Sequence, residues 1–263
     1  MAKKSKSPAR VDLKNPYGKF GRLIQIGGTA IVVIFAVGLV AFIVKSGHDK
    51  KASEARDSTG QGDTVRVTTS KLVTKPGTAD PKAVVTLYED FLCPNCGAWE
   101  QEFGSTVSKL IDIGAIAAEY SMLAILDSPK SHNYSSRAGG AALCVADEGI
   151  DLFRRFHSEL YDPNIQPSEK ASSFPDNAWL IERARQVGIN VGPGSKVVDC
   201  INSGKYAAKV AAEAELVKVF STPTIKINGE EYSPQSPQDL VAKVKSIVGD
   251  VPGIETAAPP PAP

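Results

Sequence analysis

The stretch AVVTLYEDFLCPNCGAWEQEF, residues 83–103, joins a buried strand pattern to two cysteines and then to a helical pattern. Ala83–Tyr88 is a short apolar run rich in β-branched residues, which is typical of a strand covered on both faces. After Pro94 the apolar residues recur at helical spacing until Gly114, a residue type that can cap a helix C-terminus. The sequence therefore predicts a strand, the CPNC motif and a helix in immediate succession.

The rest of the chain up to residue 250 predicts one domain of strands and helices. Ile116–Met122 suits a strand that returns to the sheet. From about residue 131 to 203 strand patterns disappear and helical periods follow one another, which predicts an all-helical insert. A helix over 204–219 comes next, then two short strands around the Asn-Gly pair at 228–229, and then a final helix. The predicted order is β, α, β, helical insert, α, β, β, α, so the fold class is α/β.

An uncharged apolar run, Leu23–Val44, precedes this domain. As a helix it would reach about 33 Å, enough to cross the hydrocarbon core of a bilayer. The run is longer than the apolar part of a cleaved signal peptide, which favours an uncleaved transmembrane anchor. Basic residues outnumber a single Asp in residues 1–22. Because basic segments beside a membrane span stay in the cytoplasm, we expect the whole chain after the span to lie on the extracytoplasmic side of the membrane.

Composition sets the remaining boundaries. Residues 45–63 are polar without apolar periodicity and predict a flexible linker. Residues 64–250 are the predicted folded domain, and the Pro- and Ala-rich residues 251–263 are a predicted disordered tail. A net charge of +1 over 263 residues gives no general attraction to nucleic acid. The predicted localisation is a single-pass protein of the cell membrane with an extracytoplasmic domain.

Three interpretations compete for Cys93 and Cys96: half of a zinc site, a structural staple, or a redox pair. A zinc site normally brings two close pairs of ligands, whereas Cys144 and Cys200 lie far apart in the chain. A staple across so short a loop would stabilise little. The start of a helix favours a thiolate, because unpaired amides and the helix dipole stabilise negative charge. We therefore expect a redox disulfide, with no metal and no other cofactor, in which Cys93 is the exposed sulfur of low pKa and Cys96 is shielded.

The FLCPNC motif after a buried strand, the long helical insert and a Thr-Pro pair just before TIKI together resemble thioredoxin-fold proteins of the DsbA type. The likeness is strongest to the membrane-anchored DsbA-like thiol:disulfide oxidoreductases of actinobacteria. The resemblance implies a thioredoxin-like fold in which Pro223 is a cis-proline opposite the cysteines. It implies that Thr222 offers backbone groups to a bound substrate peptide. It also implies a quinone-linked membrane partner, VKOR-like or DsbB-like, that reoxidises the enzyme.

One position departs from the family pattern. Many thioredoxin-fold proteins carry a buried acid upstream of the first cysteine at the position that is Leu87 here. Glu89 and Asp90 lie nearer to the motif, and two roles stay open for them: handling protons for Cys96, or standing as solvated charges at a strand end. The histidines, His132 and His157, lack metal-ligand spacing and are expected to be surface or partly buried helix residues.

The dipeptide between the cysteines, Pro94 and Asn95, is expected to tune the redox direction. Pro94 suits the first helical turn because the amide that it lacks would be unpaired there. Asn95 can donate a hydrogen bond that helps to stabilise the Cys93 thiolate, although it carries no positive charge. We therefore expect a reduction potential between roughly −270 and −120 mV, the values of thioredoxin and of a strongly oxidising DsbA.

The other two cysteines, Cys144 and Cys200, both fall in the predicted insert. In an oxidising compartment an even count favours pairing, and a disulfide between them would stabilise the fold by about 4 kcal/mol. The alternative is two buried free thiols that act as small apolar residues. Phe91, Leu92 and Phe220 could border an apolar substrate groove, with core packing as the default for each.

These features predict a monomeric, membrane-anchored enzyme that introduces disulfide bonds into reduced, partly unfolded secreted or cell-envelope proteins. Two alternatives stay open. The same site could be kept reduced and serve an isomerase or a reductase, or the domain could be a binding module with a vestigial disulfide.

Overall fold

The structure is a computed structural model that describes residues 64–259. Five strands form a mixed sheet in the order β1-β3-β2-β4-β5. Their bounds are β1 Thr64–Val67, β2 Val84–Glu89, β3 Ala117–Met122, β4 Thr224–Ile227 and β5 Glu230–Glu231. The predicted cytoplasmic segment, anchor and linker lie outside the described residues. Within the described range no helix is long and apolar enough to cross a membrane.

Strand β2 is the centre of the sheet and leads directly to the CPNC motif. It pairs in parallel with β3 and antiparallel with β4. A parallel neighbour requires a crossover connection, and helix α1, Pro94–Asp112, supplies it. Gly114 follows this helix with a φ of 79°, in the left-handed region that glycine enters at little cost. The start and end of α1 are therefore fixed by the residue types that suit them.

Four helices occupy the stretch predicted as an all-helical insert. They are α2 Tyr134–Ala146, α3 Ile150–Leu160, α4 Asn177–Gln186 and α5 Lys196–Ser203. Every residue of α2 except Arg137 is buried, and this helix contacts the other three as well as α6, Ala207–Val217. A helix that is apolar on all sides belongs in an interior. Helix α2 is thus the core of the insert.

The last elements close the sheet. Asn228 and Gly229 both have positive φ, as a two-residue type I′ hairpin between β4 and β5 requires. Helix α7, Pro237–Val248, follows, and the Ser236 hydroxyl caps it by accepting a hydrogen bond from the Asp239 amide. Its buried residues pack against the rest of the core, and its contacts with α1 place it beside that helix.

Two features differ from the sequence-based expectation. The predicted order began at Ala83, and strand β1 was missed because a four-residue alternating segment gives little pattern of its own. Pairing with β3 defines it, with Val65 and Val67 buried. The prediction of a disordered tail from residue 251 is wrong for residues 251–259, which include a 3-10 turn at Ile254–Thr256.

The start of the tail is ordered because of three apolar residues that its composition obscured. Val251, Ile254 and Ala257 recur every third position and are all buried. They join the hydrophobic core, and the 3-10 turn, which carries Ile254, contacts α7. A Pro- and Ala-rich composition therefore did not prevent the segment from packing, since its apolar residues share one side.

A disulfide joins Cys144 of α2 to Cys200 of α5 across 56 residues of sequence. We predict that the double variant Cys144→Ala/Cys200→Ala loses about 2–5 kcal/mol of unfolding free energy, because the unfolded chain regains the freedom that the link removed. Denaturant unfolding of the nonreduced proteins measures this loss. The matched control is Cys93→Ala/Cys96→Ala, whose closed loop is short and whose loss should be smaller. Equal stability of the wild type and the Cys144/Cys200 variant would contradict the prediction.

Candidate active site

The two cysteines of the CPNC motif lie where β2 passes into α1. Cys93 is the N-cap of the helix and Pro94 is its first residue. The Cys93 side chain is 6% exposed and Cys96 is fully buried, while Pro94 and Asn95 are exposed. Both cysteines are free thiols in the structure. A reacting sulfur that approaches from solvent therefore meets Cys93 first.

Sheet pairing brings a second segment to the cysteines. The Thr222–Pro223 peptide bond is cis and immediately precedes β4, the neighbour of β2. Cys93 Sγ lies 3.4 Å from the Thr222 carbonyl oxygen across 129 residues of sequence, and the protonated thiol donates a hydrogen bond to it. The structure thus gathers Cys93–Cys96 with Thr222 and Pro223, whereas the Cys144–Cys200 disulfide lies in the insert.

The two sulfurs have opposite electrostatic environments. A hydrogen bond from the Cys96 thiol, with others from the Thr222 side chain and the backbone amides of Cys96 and Asn95, lowers the pKa of Cys93 to about 5 although burial opposes the shift. Burial raises the pKa of Cys96 far above its usual value, and the Cys93 hydrogen bond and the nearby Glu89 add to the effect. At neutral pH the reduced pair therefore holds one thiolate, at Cys93, and one thiol, at Cys96.

Asp90 is fully buried, so it is not a solvated charge at the strand end. Its two carboxylate oxygens accept hydrogen bonds from the backbone amides of Leu92 (2.8 Å) and Leu126 (2.9 Å). Burial raises its pKa to about 6, and the backbone hydrogen bonds limit that rise because they favour the charged form. Asp90 therefore holds the turn between β2 and α1.

Glu89 is also fully buried, and it hydrogen-bonds to a histidine of the insert. Glu89 Oε2 lies 2.8 Å from His157 Nε2, and Glu100 Oε2 lies 3.9 Å from His157 Nδ1. The second oxygens of Glu89 and Glu100 have no hydrogen-bond partner within residues 64–259. Burial is the largest cause that raises the pKa of both carboxyls to about 8, and the proximity of Glu89 contributes to the rise at Glu100. Both carboxyls are therefore mostly protonated at neutral pH.

His157 is not at the surface, contrary to the expectation for the histidines. It is buried, and burial lowers its pKa, so the imidazole is neutral at pH 7. Four aromatic rings have centroids within 6 Å of its own: Phe91, Tyr120, Phe153 and Tyr161. Apart from these rings, the imidazole has the carboxyls of Glu89 and Glu100 as polar neighbours. An adjacent cavity of about 390 Å³ is lined by Glu100, Tyr120, His157 and Tyr161 among others.

Glu89, Glu100 and His157 are also the described residues that could hold a metal, since one ligand atom from each lies within 4.8 Å of the others. The absence of a metal from the functional protein stays a prediction.

Two members of this cluster carried a signal in the sequence. Glu100 follows Cys96 by one helical turn and precedes the buried Phe103, so an acid occupies the apolar face of α1. His157 follows Phe153 by one turn on the apolar face of α3. Of the residues considered for an apolar groove, Phe91 and Leu92 are buried in the core, whereas Phe220 is 59% exposed beside the Thr222 loop.

The comparisons with known proteins agree with this geometry. A family model described as Thioredoxin matches residues 73–246. The chain belongs to this family. Among solved structures, the reduced form of a disulfide bond oxidoreductase from Mycobacterium tuberculosis, named DsbG, is 60% identical. The match covers 80% of this chain and 97% of the DsbG chain, with a TM-score of 0.72. Reduced DsbA from M. tuberculosis is also 60% identical, over 75% of this chain and 98% of its own, with a TM-score of 0.71.

A curated relative has a different name. The serine/threonine-protein kinase PknE of M. tuberculosis is 30% identical over 130 residues, which are 49% of this chain and 22% of the kinase. The chain thus spans about a fifth of the length of that relative. The likeness to the two oxidoreductases extends over nearly their whole length. The chain is therefore homologous to thiol-disulfide oxidoreductases of the DsbA type, which are enzymes that act on substrate proteins.

The low pKa of Cys93 is testable through its largest cause, the Cys96 thiol. We predict that alkylation of reduced wild-type Cys93 rises with pH around a midpoint near 5. In Cys96→Ala the midpoint should rise by roughly one to two pH units, because the donor to the thiolate is lost. In Cys96→Ser a hydroxyl can still donate, so the rise should be smaller. Iodoacetamide labelling rates across pH measure all three, and a wild-type midpoint above 8 would refute the assignment.

The buried carboxyl of Glu89 makes stability depend on pH. Its folded pKa is raised from 4.5 to about 8, so its contribution is fully present below pH 4.5 and is lost as pH rises through 8. We predict that Glu89→Gln, which keeps the shape without the titration, gains roughly 2–4 kcal/mol relative to wild type between pH 4.5 and 8. Denaturant unfolding of the oxidised proteins measures the gain. The exposed Glu102→Gln is the control, and parallel curves for Glu89→Gln and wild type would count against the prediction.

Proposed function

We propose that this protein is an extracytoplasmic disulfide oxidase, which transfers the Cys93–Cys96 disulfide to reduced proteins. The observation that carries the proposal is the asymmetry of the pair. Cys93 reaches solvent, faces the Thr222 carbonyl and has a pKa lowered to about 5, whereas Cys96 is buried and its pKa is raised. A dithiol of this kind reacts at one sulfur and resolves at the other.

The exchange proceeds in two displacements. A substrate thiolate attacks Cys93 Sγ, the Cys93–Cys96 bond breaks, and Cys96 leaves as a thiolate that takes up a proton because its pKa is high. A second substrate thiolate then attacks the substrate sulfur of the mixed disulfide and expels Cys93. Two electrons pass from the substrate dithiol to the enzyme. The substrate gains a disulfide, and the enzyme is left with the Cys93 thiolate and the Cys96 thiol.

The direction follows from the stability of the reduced form. A group that stabilises the Cys93 thiolate stabilises the reduced enzyme, and this makes the disulfide more oxidising. The Cys93 pKa of about 5 lies between the values of about 7 for thioredoxin and about 3.5 for the strong oxidant DsbA. This supports a reduction potential between roughly −270 and −120 mV, in which the enzyme gives disulfides to flexible thiols.

The cycle requires a substrate surface and an oxidant. The carbonyl oxygen of Thr222 lies 3.4 Å from the reacting sulfur, so an extended substrate peptide that contains cysteine would run beside Thr222 and Pro223. We propose reduced, partly unfolded secreted proteins as substrates. We propose a quinone-linked membrane oxidase, VKOR-like or DsbB-like, as the partner that restores the disulfide. Anchoring by Leu23–Val44 would keep the monomeric enzyme beside that partner.

The proposal predicts catalysis of oxidative refolding. Oxidised wild-type protein should refold a reduced substrate with several disulfides at a rate at least about tenfold above the uncatalysed one, and Cys93→Ser should return the rate to background. Recovery of substrate activity measures the rate. Cys144→Ala/Cys200→Ala is the control and should keep catalysis at temperatures where it stays folded.

Three results bear on the proposal. Equal refolding by Cys93→Ser and wild type would mean that the motif is not catalytic. Faster recovery from a scrambled oxidised substrate than from a reduced one would favour an isomerase. An equilibrium potential near −270 mV would favour a reductase.

A further inference from the structure

A glutamine of the helical insert contacts the backbone of the catalytic turn. Gln166 lies in the segment after α3, and its side-chain Nε2 donates hydrogen bonds to the carbonyl oxygens of Cys93 (2.9 Å) and Phe91 (3.2 Å). The donors and acceptors are more than 70 residues apart in sequence. One amide group therefore holds two carbonyls on either side of Leu92.

The segment that carries Gln166 is held by hydrogen bonds of its own, which are independent of the Gln166 side chain. The Asp162 carbonyl accepts hydrogen bonds from the amides of Ile165 and Gln166, both at 2.8 Å. The Asp162 carboxylate accepts from the amide of Asn164 at 2.8 Å. A backbone fixed in this way lowers the entropy that the side chain loses on binding the turn. The contact is thus built into the insert.

Gly97, the residue after the motif, leaves the space that Gln166 occupies. A Cβ on Gly97 would lie far inside van der Waals contact with Gln166 Oε1. Gly97 is buried in α1 and has no positive φ that would call for glycine. Glycine is a poor residue for a helix interior, so the backbone alone would favour alanine. Room for the Gln166 amide is the physical reason for glycine at this position.

The two carbonyls set the direction of the first turn of α1. The Cys93 carbonyl also accepts the hydrogen bond of the Gly97 amide, which is the first bond of the helix. Gln166 therefore restrains both the approach to the helix and its first bond. The amides of Asn95 and Cys96, which stabilise the Cys93 thiolate, belong to this turn. A shift of the turn would move these amides away from the sulfur.

We propose that Gln166, whose side-chain amide occupies the space beside Gly97, is a positioning residue. It holds the first turn of α1 so that the backbone amides of this turn point at the Cys93 sulfur. Gln166 contacts backbone atoms and not the reacting sulfurs, so it acts through the turn. The proposal rests on the proposed function in that Cys93 is taken as the reacting thiol. Through this contact the insert would contribute directly to the reactivity of a cysteine that lies outside it.

A double-mutant cycle tests the proposal on the full, reduced protein. Gln166→Ala should raise the pKa of Cys93 by roughly half a unit to one unit, because helix-terminal amides are worth that much to a nearby charge. Gly97→Ala should give a similar rise by displacing the flexible Gln166 side chain. In Gln166→Ala/Gly97→Ala the second substitution should add almost nothing, since the clash is gone. Thiolate absorbance against pH measures each pKa without any substrate.

The glutathione redox equilibrium is a second readout, and all variants should become less oxidising as the pKa rises. Gln101→Ala, an exposed glutamine on α1, is the matched control and should match wild type. The uncharged Gln166→Met, which is similar in size and loses the amide donor, should also raise the pKa and replaces Gln166→Ala if alanine impairs folding. An unchanged pKa in folded Gln166 variants would overturn the proposal, as would an equal effect of Gly97→Ala in both backgrounds. Failure of the proposed function would appear separately, as refolding that does not need Cys93.

Discussion

The Asp90 carboxylate accepts hydrogen bonds from the backbone amides of Leu92 and Leu126, and so it joins the end of β2 to the segment that follows β3. The Asp90 carbonyl oxygen also accepts a hydrogen bond of 2.9 Å from the backbone amide of Cys93, which places the first cysteine against the same residue. A buried carboxylate is costly unless it is hydrogen-bonded, and here the donors are backbone groups that cannot rearrange without moving the strands. The position of Cys93 relative to the sheet depends on this turn, and so does its distance from Thr222.

The two sulfurs that follow this turn differ in their pKa. Cys93 stands at the open end of a helix, where amides and the Cys96 thiol stabilise negative charge more than partial burial opposes it. Cys96 lies one turn inside, where burial and Glu89 disfavour the thiolate. The same chain segment thus lowers one pKa and raises the other over a single helical turn. In the proposed exchange, the low pKa of Cys93 makes it the better leaving group when a second substrate thiolate resolves the mixed disulfide, and the high pKa of Cys96 keeps the released inner sulfur protonated.

The sequence predicted the parts of the site that depend on local pattern and missed those that depend on distant contacts. The strand before the motif, the helix after it and the Asn228-Gly229 hairpin follow from periodicity and turn chemistry, and the structure has them within a residue or so. The place of Thr222 beside Cys93 came from a family resemblance, because pairing of β4 with β2 is not visible in either segment alone. Gln166 carried no signal at all, since a polar residue in a loop is ordinary until its partner is known.

The helical insert contributes side chains that contact the candidate active site. His157 reaches Glu89 from α3, and Gln166 reaches the Cys93 carbonyl from the segment that follows. A thiol-exchange site must be open at the reacting sulfur, whereas burial away from water is the largest cause of the raised pKa of Glu89 and Glu100. From its position between β3 and β4 in the chain, the insert supplies Phe153, His157 and Tyr161 to the buried surroundings of these carboxyls, where Phe91 and Tyr120 join them. The Cys93 sulfur, one helical turn from the buried Cys96, faces Thr222 instead, so the two environments coexist within a single turn.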